Sequence, residues 1–311
     1  MRFAWLRPNA PHSGTKFDDS ALLIDALRLL HEIDIFTSET VRDFAATHER
    51  SPFDLPVYEL DSTSTQITLW PLLSRFGGAL MLRTLALPDL RATLMASRVV
   101  VVPYESVAED LRVQYPGCDV RVAVTGVSEV QLAQQVPDPV EGRKSPVVFG
   151  LLSDGRSDVL RRARDRAGLG DETTVLMTDR SPEQALHEAD VIVSLRWPWS
   201  GEPATEALVA MAAGKPVVVL ETAGTADWPA LDPQTWQPRG PGADAPIVVS
   251  VDPLDEEHSL GLALARLSTD VALRTRLGAA GKLWWRTHAT AGHAAADWTQ
   301  ILSEIAVERT L

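Results

Sequence analysis

The stretch Ala189–Leu220, ADVIVSLRWPWSGEPATEALVAMAAGKPVVVL, decides how the rest of the chain is read. Ala189–Leu195 is apolar and β-branched over the length of a buried strand. Arg196–Glu202 breaks that run with two Trp, a Pro, a Ser and a Gly. Pro203 stands where a first helical turn tolerates it, because that position has no amide hydrogen to lose. Ala204–Ala213 is rich in helix formers, Gly214 supplies a stop, and Pro216–Leu220 is a second apolar strand. Strand, loop, helix and strand at this spacing make a βαβ crossover, so the two strands are predicted parallel and covered on both faces. The loop falls at the carboxyl end of its strand, where open α/β sheets hold ligands.

The same alternation extends in both directions. Towards the N-terminus, strands are predicted over Arg2–Leu6, Ile33–Phe36, Leu55–Leu60, Ala79–Leu82, Arg98–Val102 and Val120–Val124. Helices are predicted between them over Asp18–Leu30, Ile67–Arg75, Leu90–Ala96 and Ser106–Tyr115. Ala21, Leu22, Ile24, Leu27 and Leu30 form the apolar side of the first. Gly126–Ser145 loses periodicity and carries Pro137, Pro139 and Gly142, which suits a linker with a domain boundary near 140. Pro146–Leu151 restarts the pattern, followed by a helix over Asp158–Ala167, a strand over Thr173–Met177 and a helix over Pro182–His187. After Leu220 an irregular Pro- and Gly-rich region runs to Ala245, then a strand over Ile247–Val251. Helices over Asp255–Arg266, Thr269–Arg286 and Ala294–Glu308 close the chain. Repeated strands and helices with short connections imply parallel sheets with helices on both faces.

Composition narrows the function classes. A chain of 311 residues is long enough for two domains with separate cores. A formal charge of −13 argues against nucleic acid or an anionic membrane surface as the main partner. Cys118 is the single cysteine, so a reducing compartment is expected. No apolar run reaches the ~20 residues of a membrane span, and the N-terminal stretch is too short in apolar core for a signal peptide. A cytoplasmic protein without an integral membrane segment is the expectation.

RWPWSGEPATEALVAMAAGKPVVV resembles the donor-site segment of GT-B-fold glycosyltransferases, family 4 in particular. Arg196, Pro198, Gly201 and Glu202 match an Arg-x-Pro-x-x-Gly-Glu loop, and residues 212–216, AAGKP, match as well. WWRTHATAGHAAADW is similar to the C-terminal helices found beside that loop, with its aromatics as anchors and His288 and His293 as packing or capping residues. The resemblance implies an α/β fold of two Rossmann-like domains facing across a cleft. These are an N-terminal acceptor-side domain over residues 1–140 and a nucleotide-sugar donor domain over 141–293. A C-terminal helix over about 294–311 crosses back to the first.

It also implies a transferase moving a sugar from a nucleotide diphosphate donor to a carbohydrate, lipid-linked or small-molecule acceptor, with retention and with no cofactor or metal. Glu202 falls at the position of the donor-sugar carboxylate, serving sugar hydroxyls or the developing oxocarbenium charge. Gly201 permits close approach of phosphate or sugar, and Arg196 adds charge to that pocket or pairs structurally at the strand end. Glu206 lies at i, i+4 from Glu202 and is expected on the same helix face, one carboxylate towards ligand and the other towards solvent. Gly14 belongs to a small loop under the sugar nucleotide. Four departures accompany these matches. Val209 stands where many members carry a ribose-binding Glu, and Arg83 stands where the N-terminal domain usually offers a His. Arg156 alone stands in place of a basic pair, and residues 156–189 are shorter than usual. Arg83 and Arg156 are candidate diphosphate cations, since guanidinium matches phosphate geometry.

Two other readings fit the same residues. One is a GT-B-like protein without turnover, acting as a binding or regulatory partner of an active enzyme; the departures favour it. The other is a sugar-nucleotide epimerase of the same fold, which should show further acid/base His and carboxylate residues.

Overall fold

The computed structural model describes residues 1–8, 18–128, 146–152, 155–240 and 245–307. The chain divides into two compact units, one of Met1–Gly126, Ser200–Pro203 and Ala291–Leu311, the other of Val127–Trp199 and Ala204–Thr290. The domain boundary expected near 140 lies outside the described residues.

The first unit is built on six strands, β1 (Arg2–Leu6), β2 (Glu32–Phe36), β3 (Leu55–Leu60), β4 (Ala79–Leu82), β5 (Val99–Val102) and β6 (Val120–Val122). They lie in the order β2-β1-β3-β4-β5-β6, every pair parallel. β3, β4 and β5 are buried along their whole length, which explains why β4 and β5 read as unbroken apolar runs and β3 as one interrupted only by Glu59. Helices α1 (Asp19–Leu27), α2 (Phe44–Arg50), α3 (Thr63–Phe76), α4 (Leu90–Ala96) and α5 (Glu105–Gln114) connect them.

In the second unit, β7 (Val147–Leu151), β8 (Thr174–Met177), β9 (Val191–Ser194), β10 (Val217–Leu220), β11 (Ala230–Leu231), β12 (Pro238–Arg239) and β13 (Val248–Val251) form a seven-stranded sheet. Its order is β12-β11-β13-β10-β9-β7-β8, parallel except for the β11–β12 pair. Counted from its own first strand, this sheet winds as the first one does. The second strand lies on one side, and the third and fourth lie on the other. Each sheet therefore has a reversal point, at β1 and at β7, beyond whose carboxyl ends α/β proteins hold ligands. Helices α6 (Ser157–Arg166), α7 (Pro182–Glu188), α8 (Thr205–Ala212), α9 (Glu256–Thr269) and α10 (Val271–His288) complete it. Gly150 of β7 is set by packing, since a Cβ there would meet the Ala189 Cβ at 2.9 Å and the Ala185 Cβ at 3.2 Å.

The terminal helix α11 (Ala291–Val307) belongs to the first unit, where Trp298, Ile301, Leu302 and Ile305 join Phe3, Trp5, Leu23 and Leu27 in one core. The Trp5 and Trp298 rings are 5.3 Å apart, and both are fully buried. Each such side chain contributes roughly 1.5–3 kcal/mol of burial. His288 stacks on Trp284 with ring centres 5.1 Å apart.

Four local expectations change. The first helix ends at Leu27, and its buried face is Leu23, Ile24 and Leu27. Leu30 lies beyond the last turn and is 60% exposed. α3 begins one turn earlier than its apolar residues indicate, because Ser62 and Thr65 form a capping box that starts it. α2 and the short β11–β12 pair have no counterpart among the predicted elements. Their seven, two and two residues are too few for periodicity to register.

Candidate functional site

β9 ends at Ser194, beside the reversal point of its sheet, and the loop that follows carries the Arg-x-Pro-x-x-Gly-Glu residues. The peptide bond between Trp197 and Pro198 is cis, and Trp197 is half exposed. Ser200 grips the Glu202 carboxylate twice, its backbone N–H donating at 2.9 Å and its hydroxyl at 2.6 Å. Glu202 is thereby held by its own loop while its side chain stays partly accessible. Ser200 is anchored in turn, since its carbonyl accepts from the Leu85 amide at 2.5 Å and its hydroxyl lies 3.2 Å from that of Thr84. Gly201 has φ +106°, and a Cβ there would meet Leu85 Cγ at 3.1 Å. Backbone conformation and the approach of Leu85 both require this glycine.

α8 starts at Thr205, with Ala204 at its N-cap, so Pro203 precedes the helix instead of opening it. Glu202 therefore does not share a helix face with Glu206. The two carboxylates are not divided between ligand and solvent by helix geometry. Glu206 sits in the first turn of α8, buried, and pairs with the Arg196 guanidinium. Thr205 is fully buried, and its hydroxyl has no hydrogen-bond partner among the described residues.

Arg83 follows β4 and is 3% exposed. Its two terminal nitrogens donate to the two Asp19 oxygens at 2.7 and 2.6 Å. Burial by itself pulls the Arg83 pKa down. The charge and hydrogen bonds of Asp19, with Glu59 and Asp18 behind it, outweigh burial and hold it above the ordinary value. Asp18 is the N-cap of α1, accepting from the Ala21 amide, and receives Arg7 at 2.8 Å on each oxygen. Glu59, fully buried on β3, accepts from the Trp5 indole at 3.2 Å and lies 3.7 Å from Arg7. The start of α1 is thus occupied by its own carboxylates, each matched to an arginine from the sheet. Asp19, Arg83, Pro203 and Trp298 line a cavity of about 20 Å³, room for about one water.

Arg156 stands at the N-cap of α6 and pairs with Glu256 at the start of α9, tying two helices together. Val209 is buried on α8, so an apolar core position occupies the place where a ribose carboxylate would be sought. Gly14 lies outside the described residues. Within the first unit the structure brings Arg83 into one network with Asp19, Asp18, Arg7 and Glu59, and it places Gly201 and Glu202 together in the loop. In the second it joins Arg196 to Glu206 and leaves Arg156 in a separate pair with Glu256. Sequence reasoning missed Asp18, Asp19 and Glu59. The Asp-Asp before an apolar stripe is an N-cap signature, and a Glu inside an apolar strand signals a buried partner. Among the described residues no group of three or more His, Cys, Asp or Glu is placed to hold a metal, and no helix is long and apolar enough to cross a membrane.

Comparison of the folded chain with solved structures decides the architecture. Sucrose-phosphate synthase from Thermosynechococcus elongatus superposes with a TM-score of 0.69 at 15% identity, covering 98% of each chain. Anabaena HepE, solved with UDP and glucose, gives 0.62 at 13% identity over 97% of this chain and 99% of that one. WaaG, a glycosyltransferase of lipopolysaccharide biosynthesis, gives 0.60 at 11% identity over 98% and 99%. The fold is GT-B. No family model and no curated protein sequence matches the chain, so the shared architecture is carried by topology at identities where side-chain chemistry must be argued separately.

Proposed function

We propose that the chain transfers a sugar from a nucleotide diphosphate sugar to an acceptor hydroxyl, with retention. The observation that carries this reading is Glu202, held by two hydrogen bonds from Ser200 yet partly accessible, in the loop that resembles the glycosyltransferase donor segment. The architecture around it follows glycosyltransferases from end to end. The Ser200 grip fixes the carboxylate before substrate arrives, so no reorganisation is needed when charge develops. Glu202 then accepts hydrogen bonds from sugar hydroxyls and stabilises the oxocarbenium-like transition state. On this reading the amides at the start of α8 bind the departing diphosphate, as a helix N-terminus favours an anion. The acceptor oxygen bonds to the anomeric carbon as the carbon–phosphate oxygen bond breaks, and its proton passes to the leaving phosphate oxygen. UDP sugars are the first donors to try, because HepE was solved with UDP and glucose, and the trehalose-6-phosphate protein from E. coli with UDP-2-fluoro glucose.

A second reading, a GT-B-fold binding partner without turnover, is favoured by the pairing of Arg83, Arg156 and Arg196 with carboxylates and by the burial of Val209. Binding and hydrolysis with UDP-, GDP-, ADP- and TDP-sugars, wild type against Glu202→Gln, test both. Transfer requires binding in both proteins and a loss of turnover of roughly 100-fold or more in the variant. Binding without turnover in the wild type supports the partner reading, and no binding defeats both.

A further inference from the structure

The hydrogen bonds that hold Glu202 do not stop at Ser200. Residues 200–203 belong to the first unit, as does the segment that follows β4. In that segment the Thr84 hydroxyl lies 3.2 Å from the Ser200 hydroxyl and 3.4 Å from the Ser200 carbonyl oxygen, and it accepts from the Ala86 amide at 3.1 Å. Thr84 is 5% exposed, so these bonds form away from bulk water. We infer that Thr84 is a positioning residue for Glu202, acting through Ser200. As an aid to turnover this role rests on the proposed sugar transfer; as a device that orients the carboxylate it does not.

The direction of each bond follows from what its groups can donate. An ionised carboxylate only accepts, so the Ser200 hydroxyl gives its single hydrogen to Glu202 Oε1, 2.6 Å away. Towards Thr84 that hydroxyl can then only accept. The Thr84 oxygen takes the Ala86 hydrogen, which leaves its own hydrogen for Ser200. The Ser200 hydroxyl is the nearer target, and the Ser200 carbonyl is already bonded to the Leu85 amide at 2.5 Å. The chain therefore runs one way, from the Ala86 amide through Thr84 and Ser200 to Glu202, and each donor is polarised by the one before it. The division of labour is clear. Leu85 fixes the Ser200 backbone, while Thr84 selects among the staggered positions open to the Ser200 side chain. A carboxylate oriented in this way is in place before charge develops.

The test uses the full chain with Thr84→Val, which removes the hydroxyl, and Thr84→Ser, which keeps it, each made also in a Ser200→Ala background. Thermal unfolding checks that every variant folds. In Thr84→Val the Ala86 amide loses its acceptor whatever stands at 200, so a merely structural loss persists beside Ser200→Ala. A loss routed through Ser200 disappears there. Turnover is read as hydrolysis of whichever of UDP-, GDP-, ADP- and TDP-glucose the wild type cleaves fastest. Thr84→Val should lower kcat about tenfold and change the donor Kd less than about threefold, and Thr84→Ser should stay within about threefold of wild type in kcat. Beside Ser200→Ala, Thr84→Val should cost less than about twofold more. A second measurement needs no substrate. The Ser200 amide proton is donated to Glu202, and its NMR resonance in Thr84→Val should move towards its position in Glu202→Ala, while Thr84→Ser leaves it in place. An unmoved amide, an unchanged kcat, no rescue by serine, or an equal loss in both backgrounds would overturn the inference. No hydrolysis of any of the four, with the amide moving as expected, brings down the transfer reading alone. Hydrolysis with an unmoved amide brings down the positioning role alone.

Discussion

Arg83→Met is the perturbation that most sharply separates a structural from a ligand-binding arginine in the first unit. Both terminal nitrogens of Arg83 are committed to Asp19, and neither side chain is more than 4% exposed. Removing the guanidinium leaves the Asp19 carboxylate buried without its counter-charge, a loss of about 3–5 kcal/mol for pairs of this kind. Asp19 is also the first residue of α1, and the helix dipole offsets up to ~1 kcal/mol of that. A net destabilisation of about 2–4 kcal/mol is expected. For a unit of about 150 residues, each kcal/mol lowers the melting temperature by ~2–4 °C, so scanning calorimetry should show a fall of about 4–16 °C. Arg83→Met with Asp19→Leu replaces the pair by apolar groups and should recover most of the loss, giving a coupling of about 2 kcal/mol between the two sites. A single-variant loss below about 1 kcal/mol, or strict additivity in the double variant, would refute the reasoning. Intact stability with lost nucleotide affinity would instead make Arg83 a ligand cation.

The Arg196–Glu206 pair is more open on its arginine side, so Arg196→Met should destabilise the second unit by about 2–4 kcal/mol, with Glu206→Gln in that background restoring part of it; chemical denaturation measures both. Gly201→Ala places a Cβ at 3.1 Å from Leu85 Cγ at a φ of +106°, and a loss of about 1–3 kcal/mol is expected. Donor affinity should fall with it if the Ser200–Glu202 geometry holds the donor. Asp270 caps α10 through the Leu273 amide at 2.9 Å, and that bond, with Arg266, holds its pKa below the ordinary value. Its contribution is therefore present above the unfolded carboxylate pKa of about 3.9 and is lost as pH falls through the lower folded value. Asp270→Ala should lower stability by about 1 kcal/mol at neutral pH, and the difference from wild type should shrink below about pH 4.

What was legible in the sequence followed from burial on both faces. β3, β4, β5 and β10 are entirely buried, so each stands out as an apolar run, in β3 interrupted only by Glu59, with turn residues at its ends. Helix edges were less legible where a side-chain cap sets them, as Ser62 and Thr65 do for α3. The phase of α1 slipped because Leu22 and Leu23 are adjacent, and only packing against α11 selects the second. In the candidate site, the loop residues were visible as a pattern, but their partners were not. Arg83 and Asp19 are 64 residues apart and Arg156 and Glu256 are 100 apart. No local spacing rule reaches across such separations. The relation of Glu202 to Glu206 depended on whether the helix starts at Pro203 or at Thr205, a difference set by the loop held at Leu85.

The pairing of arginines bears directly on how this chain would hold a donor. A guanidinium already bound to a carboxylate gains less from a phosphate, since the incoming anion must compete for the same N–H groups and meets the carboxylate charge. Arg83, Arg156 and Arg196 each have such a carboxylate. On the proposed function, much of the grip on the diphosphate then falls to neutral donors, the amides at the start of α8. Neutral donors are screened less by salt than an arginine cluster would be. They are also fixed before binding, which favours the transition state over the ground state. Weak donor affinity and effective transfer are compatible on these terms, so the pairing of Arg83, Arg156 and Arg196 fits slow or weakly saturated turnover as well as the partner reading. On the proposed function, the group that separates turnover from binding alone is Glu202, the carboxylate held by Ser200.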